Sequence, residues 1–143
     1  MPGHLARRFH QVSTVLFDLQ MREAGLPLTP VQFAALLTVR DNPGIDQATL
    51  AGLIAYDRTT IGGVVDRLVD KGFITRAPSD LDRRAKLLTL SAAGDEIIRQ
   101  AEPLVTTAQD RLVASLSADE RAQLVALLEK VVSDLGDLSR STR

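Results

Sequence analysis

Apolar residues recur along most of the chain at spacings of three and four, the period of an α-helix with one buried face. The first and last of these segments carry narrow, heptad-like stripes of the kind that pack against a partner helix. The stripes consist of Leu5, Phe9, Val12, Leu16 and Leu19 in the first segment and of Leu124, Leu127, Leu128, Val131, Leu135 and Leu138 in the last. Since one small chain offers them no sufficient partner, the pattern predicts two helices that meet a second copy of the chain.

Capping residues mark where several helices begin. Thr29 and Gln32 have the spacing of a capping box, with a proline at the first helical position between them. Ser117 and Glu120 repeat this spacing before the last apolar stripe. These signals predict helices that start directly after residues 29 and 117.

Two short helices joined by a tight turn are predicted between residues 46 and 71. Asp46 is placed to cap the first helix and Asp57 to cap the second, which is expected from Arg58 to Lys71. The buried face of the first is predicted to comprise Leu50, Leu53 and Ile54. The buried face of the second is predicted to comprise Ile61, Val64, Val65 and Leu68.

The second of these helices carries adjacent glycines, Gly62 and Gly63, on its exposed face together with Thr59, Asp66 and Asp70. A glycine in a helix interior costs about 1 kcal/mol relative to alanine, so the pair needs a reason. A bare helix face permits close approach to a rigid partner, and the major groove of DNA, about 12 Å wide, admits one helix. The alternatives are that the glycines accommodate a neighbouring helix or have no role.

The stretch from Phe73 to Leu90 changes period and predicts a β-hairpin, with strands at 73–76 and 86–90 and a polar, charged loop between them. The whole chain has a formal net charge of −1, which gives no hint of a nucleic-acid partner. Residues 71–86, however, hold five basic and two acidic residues, a local charge of +3, against −3 for residues 95–143. Ser91 is then placed to cap a further helix.

A short capped helix, a tight turn, a second helix and a basic hairpin, in that order, form a winged helix-turn-helix. The sequence resembles the MarR-type transcriptional regulators over nearly its whole length. The most specific segment is "DLDRRAKLLTLSAAG", residues 80–94, which is similar to the wing signature of that family. The expected fold is mostly α with a small β-hairpin wing, in one domain of residues 1–143. Residues 28–91 would form the winged helix-turn-helix, and residues 1–27 and 92–143 a helical dimerisation region.

The resemblance implies a homodimer that binds a pseudo-palindromic operator, usually as a repressor released by a small molecule. It also implies that Arg84 enters the minor groove while Asp82 orients it. Side chains and free N–H groups in the first turn of the second helix can face bases or phosphates, and Arg67 could reach a phosphate or pair with a neighbouring aspartate. The predicted DNA contacts are Arg58, Thr59, Thr60, Gly62, Gly63, Arg67, Asp82, Arg83, Arg84 and Lys86. The predicted dimer interface comprises Leu5, Phe9, Val12, Leu124, Leu128, Val131 and Leu135. A merely solvated hairpin tip is the alternative for the wing.

In the resembling family, aromatic carboxylates or phenols lodge between the dimerisation helices and the DNA-binding lobe. Arginine grips a carboxylate through two parallel hydrogen bonds, and a neighbouring imidazole adds another. The candidates for such a site here are His4, Arg8, His10, Phe17 and Arg40. A solvated helix face, or an interface position for His10, is the alternative. The chain has no cysteine, so it lacks the thiol-oxidation switch of one branch of the family.

Other function classes find little support in the sequence. The two histidines are six residues apart on one helix, a spacing unlike that of a helical metal pair, and no catalytic motif is visible. We therefore expect neither an enzyme nor a metal or organic cofactor. With no signal peptide and no apolar membrane span, we expect a cytoplasmic protein. A protein-interaction module and an architectural protein that binds DNA constitutively are the rival functions.

Overall fold

Helices make up most of the chain, and a small antiparallel sheet lies among them. The computed structural model describes residues 1–54 and 58–141, but not the side chains of residues 58, 59, 137 and 139–141. The elements are α1 Pro2–Ala24, α2 Pro30–Asp41, β1 Ile45–Asp46, α3 Gln47–Leu53, α4 Arg58–Asp70, β2 Ile74–Pro78, β3 Lys86–Leu90, α5 Ala92–Leu112 and α6 Ala118–Ser141. The predicted class, mostly α with a small wing, is confirmed.

The predicted capping boxes are present at the starts of α2 and α6. The Gln32 N–H donates to Thr29 Oγ1 at 3.2 Å, and the Thr29 N–H donates to Gln32 Oε1 at 3.1 Å. Ser117 and Glu120 exchange the same two hydrogen bonds at 3.2 and 2.9 Å. The bond from the Ser117 N–H holds the pKa of the Glu120 carboxyl below its ordinary value.

Asp46 caps α3 as predicted, since its Oδ1 accepts from the Thr49 N–H at 2.7 Å. This backbone hydrogen bond is the main reason why the pKa of the Asp46 carboxyl is lowered. The predicted cap of α4, Asp57, lies outside the described residues.

Within the described residues, the sheet has three strands in the order β1-β3-β2, all antiparallel. Strand β3 pairs with β2 from Ile74↔Leu90 to Pro78↔Lys86, which confirms the hairpin, although β2 starts and ends later than predicted. The third strand, β1, was not predicted. It has only two residues, which is too short to show a period, and its partner Leu88 is distant in sequence.

The chain divides into two compact units, one of Met1–Gly25 with Pro103–Arg143 and one of Leu26–Glu102. The core of the second unit contains Leu36, Leu50, Ile61, Leu68 and Leu88, all fully buried.

One predicted core residue is wrong, because Leu53 is 60% exposed and Ala51 is buried instead. The buried side of α3 is centred between Leu50 and Ala51, and at 3.6 residues per turn Leu53 points about 110° away from that centre.

In the first unit, the apolar stripes of α1 and α6 remain exposed within the single chain. The exposed fraction is 62% at Leu5, 44% at Leu128 and 52% at Leu135. Together these side chains form an exposed apolar patch of the kind that marks a protein–protein contact.

Candidate nucleic-acid interface

Helix α4 has the two faces that its sequence pattern predicts. Ile61, Val64, Val65 and Leu68 are buried, whereas Asp66, Arg67 and Asp70 are exposed. Thr60 is also exposed, and the side chains of Arg58 and Thr59 lie outside the described residues. The outward face therefore presents polar groups and the two glycines.

The described atoms around Gly62 and Gly63 leave room for a Cβ at both positions. A Cβ on Gly62 would lie 3.6 Å from Gln47 Nε2, and a Cβ on Gly63 would lie 3.4 Å from Arg67 Nη1. Both are ordinary van der Waals distances to the ends of flexible side chains. Among the described atoms, no neighbouring helix packs closely enough to explain the glycine pair.

The loop between β2 and β3 is a structured tip. The hydroxyl of Ser79 accepts from the N–H groups of Leu81 and Asp82 at 3.2 and 3.4 Å. The Ser79 N–H donates to the Ala85 carbonyl at 2.9 Å, and the Ala85 N–H donates to the Asp82 carbonyl at 2.9 Å. These bonds fix the backbone from which the tip side chains project.

Asp82 holds Arg84 at this tip. Its Oδ1 atom accepts from the Arg84 N–H at 3.0 Å and from Arg84 Nε at 3.3 Å. The Arg84 side chain is nevertheless 94% exposed, so its guanidinium remains accessible. Arg83 and Lys86 are exposed beside it.

A cleft of about 240 Å³ runs between the start of α3 and the base of this tip. Its lining residues are Asp46, Gln47, Ala48, Arg84, Ala85 and Lys86. The cleft shows that the positive side chains of the wing and the first turn of α3 share one surface of the second unit.

Arg76, on β2, is a charged residue of this region that no sequence motif indicates. Its Nη1 atom donates to Asp66 Oδ1 of α4 at 2.7 Å and to Gln47 Oε1 of α3 at 3.5 Å. Asp66 thus pairs with Arg76 and not with Arg67, which makes no ion pair within the described part of the chain. Arg76 lies on a strand and ten positions after Asp66, so the helical period of α4 does not predict their contact.

The junction from the wing to α5 depends on a glycine. The Ser91 N–H donates to the Phe73 carbonyl at 3.0 Å, and Ser91 Oγ accepts from the Gly94 N–H at 3.0 Å. A Cβ on Gly94 would collide with that same Phe73 carbonyl oxygen. The final glycine of the wing signature is therefore required by packing.

The candidate effector residues have mixed surroundings. His4, Arg8 and His10 are exposed on α1, and Phe17 is buried. In the other unit, Arg40 donates to Glu102 at 2.7 Å and to Asp41 at 3.2 Å. The hydrogen bond to Glu102 is the main cause of the raised pKa of Arg40. Arg40 is thus already occupied by carboxylates, and the roles of all five residues stay predictions.

An apolar groove of about 500 Å³ lies in the first unit. It is lined by Pro2, Leu5, Ala6, Arg8, Phe9, Val12, Leu112, Leu124 and Leu128. Five of the seven predicted interface residues therefore line one groove, and the remaining two, Val131 and Leu135, are exposed farther along α6.

The MarR family model matches residues 28–86, which run from just before α2 through β2 and the wing tip to the first residue of β3. The HTH-type transcriptional repressor NicR of Pseudomonas putida is 32% identical over 130 residues, which cover 91% of this chain and 81% of that protein. The chain belongs to the MarR family. It is accordingly a winged-helix transcriptional regulator that binds DNA, with α3 and α4 as its helix pair and β2–β3 as its wing.

Solved MarR-family structures share its fold. A point mutant of MarR from Escherichia coli in complex with operator DNA has a TM-score of 0.83 and 30% identity, over 91% of this chain and 92% of that one. BpsR of Bordetella bronchiseptica, whose DNA binding is regulated by 6-hydroxynicotinic acid, has a TM-score of 0.85 and 27% identity, over 92% of both chains.

None of the described helices combines the length and the apolar composition that a membrane-spanning helix needs.

Proposed function

We propose that this MarR-family protein is a repressor that binds a pseudo-palindromic operator as a homodimer and leaves it when a small aromatic acid binds. The observation that carries the DNA-binding mode is Arg84, 94% exposed and held by Asp82 at the tip of a structured wing. An arginine presented in this way suits the narrow minor groove, where negative potential is concentrated.

The recognition helix in this proposal is α4. Its first turn consists of Arg58, Thr59 and Thr60, and residues at this end of a recognition helix reach bases and phosphates. The bare surface at Gly62 and Gly63 lets the helix approach the major groove closely. In the proposed complex, Arg67, Arg83 and Lys86 contact phosphates.

The homodimer is supported by the exposed apolar stripes of α1 and α6. Leu5, Val12, Leu128, Val131 and Leu135 are each between 44% and 62% exposed in the single chain. A second copy with the same stripes would bury them through a two-fold interface, and two wings would then meet two half-sites.

The aromatic effector is supported by the α1 cations and by a relative. Arg8, an exposed cation on α1, offers a partner for the carboxylate of such an acid. BpsR responds to 6-hydroxynicotinic acid, an aromatic acid with a hydroxyl group. We therefore take this acid as the first probe for the present protein.

Selection from a random-sequence duplex library tests the DNA-binding proposal. The protein should enrich a pseudo-palindrome with half-sites about 10 base pairs apart, and its affinity should fall steeply with salt. Enrichment of no sequence, despite salt-dependent binding, would favour the architectural protein. DNA affinity that hardly changes with salt would favour a protein-interaction module.

A thermal-shift screen of aromatic carboxylic acids, starting with 6-hydroxynicotinic acid, tests the effector proposal. An effector should raise the melting temperature and lower operator affinity, with a coupling of about 1 to 3 kcal/mol that is equal in both directions. If no acid changes operator affinity, the protein is a regulator without this type of effector.

A further inference from the structure

We propose that Arg76 is a positioning residue that holds the wing in its orientation relative to the recognition helix. This inference rests on the proposed DNA-binding function. It starts from one contact, in which Arg76 Nη1 on β2 lies 2.7 Å from Asp66 Oδ1 on α4. The Arg76 side chain is only 30% exposed, whereas that of Arg84 at the wing tip is 94% exposed.

The same nitrogen also reaches the first helix of the DNA-binding pair. Arg76 Nη1 donates to Gln47 Oε1 at 3.5 Å, and the Nε2 atom of Gln47 lies 3.6 Å from where a Cβ on Gly62 would be. Gln47 thus lies between Arg76 and the bare surface of α4. One guanidinium group consequently connects α3, α4 and the wing.

The position of Arg76 along the hairpin explains why this connection would matter for DNA binding. Ile74 anchors the start of β2 in the core, but the rest of the strand, from Thr75 to Pro78, is exposed. Arg76 pairs with Leu88, and Pro78, two residues closer to the tip, pairs with Lys86. Any tilt at Arg76 is carried along the hairpin to Arg84, because the paired strands move together.

The charge of Asp66 gives the contact a second consequence. Asp66 is an exposed carboxylate on the face of α4 that would meet DNA, and phosphates would repel it. Pairing with Arg76 draws this carboxylate toward the wing strand and neutralises it. Loss of Arg76 would therefore both loosen the wing and leave a negative charge facing the DNA.

The test measures affinity for the duplex that the parent protein enriches from a random library, as a function of salt, for Arg76→Gln, Asp66→Asn and the double variant. Arg76→Gln should weaken binding about fivefold, the upper range for an exposed ion pair. The slope of log affinity against log salt should stay unchanged, since Arg76 does not contact a phosphate. In the D66N background, the same Arg76→Gln change should weaken binding less than about twofold, because the partner is already absent.

Two further variants sharpen this test. Arg76→Lys should retain most of the parent affinity, because a single nitrogen makes both contacts and an ammonium group can replace it. Arg99→Gln is the matched control, since Arg99 pairs only within its own helix, with Asp95 and Glu96, in the described structure. It should leave affinity and slope at the parent values.

Three outcomes would overturn the proposal. A salt slope that becomes shallower by about one unit per half-site, with equal losses in both backgrounds, would make Arg76 a direct phosphate contact. A lower melting temperature with unchanged affinity would make its role purely structural. Unchanged affinity and melting temperature would leave it no role. If the parent itself enriches no duplex, the proposed function fails before any variant is measured.

Discussion

The carbonyl oxygen of Phe73 occupies the space that a Cβ on Gly94 would fill, and Leu90 Cδ1 lies 2.9 Å from the same point. That carbonyl also accepts the hydrogen bond from the Ser91 N–H that joins the end of the wing to α5. A side chain at position 94 would have to displace the Phe73 carbonyl, which is already hydrogen-bonded to the Ser91 N–H.

Gly94→Ala should therefore lower the free energy of unfolding by about 1 to 3 kcal/mol, the usual cost of overpacking. Gly52→Ala is the matched control, because a Cβ there meets no atom within 4 Å and α3 gains helix propensity. Denaturant unfolding at one protein concentration compares the two. Equal stability of both variants would show that the backbone at the wing junction moves to accept a methyl group without a loss in the free energy of unfolding.

Gly63→Gln should change stability and DNA binding in opposite directions. The substitution removes a helix penalty of about 0.5 to 1 kcal/mol, and a Cβ at this position makes an ordinary contact, 3.4 Å from Arg67 Nη1. The same side chain projects from the face of α4 that is proposed to enter the major groove, so operator affinity should fall. Melting temperature and affinity are measured on the same preparation.

Gly62→Gln should show the same pair of effects, with an additional disturbance of Gln47. A glycine variant that melts earlier than the parent but binds the operator equally well would place the glycines in a structural role.

Arg84→Ala should weaken operator binding and make the salt slope shallower by about one unit per half-site, because one phosphate-neutralising charge is lost. The melting temperature should hardly change, since the side chain is 94% exposed. Asp82→Asn should weaken binding with little change in slope, because Arg84 keeps its charge but loses the carboxylate that orients it. Unchanged affinity for Arg84→Ala would mean that the wing tip is only solvated.

Charged residues at Leu128 and Leu135 should prevent assembly. Both side chains are about half-exposed in the single chain, so their substitution by Glu perturbs the proposed interface more than the internal core. Sedimentation and circular dichroism should reveal unfolded or aggregated protein. Leu81→Glu, at a side chain that is 99% exposed on the wing, should remain dimeric. A folded, stable monomer at micromolar concentration would show that the dimer is not obligate.

Arg8→Ala and His10→Ala should abolish the response to whichever aromatic acid lowers operator affinity, while leaving DNA binding without the acid intact. Both residues are exposed, so the substitutions should not affect folding. Arg7→Ala, next to Arg8 and also exposed, is the control for the loss of a charge on α1. If both variants respond fully, the acid binds elsewhere, and Arg40, once released from Glu102, is the next candidate.

Features that depend on residues within about four positions of each other were predictable from the sequence. The capping boxes at Thr29 and Ser117 and the buried face of α4 follow from local hydrogen bonds and from the helical period, so they formed as expected. The wing hairpin was also predictable, because its strands are close in sequence and its loop is strongly polar.

The features that the sequence did not reveal arise from contacts between distant segments. The strand β1 exists because Ile45 meets Leu88, Asp66 is neutralised because β2 brings Arg76 to it, and Gly94 is required because Phe73 folds back against it. Exposure of Leu53 likewise depends on which side of α3 the rest of the unit covers. Each depends on the spatial arrangement of whole elements, which a periodic pattern along one segment does not encode.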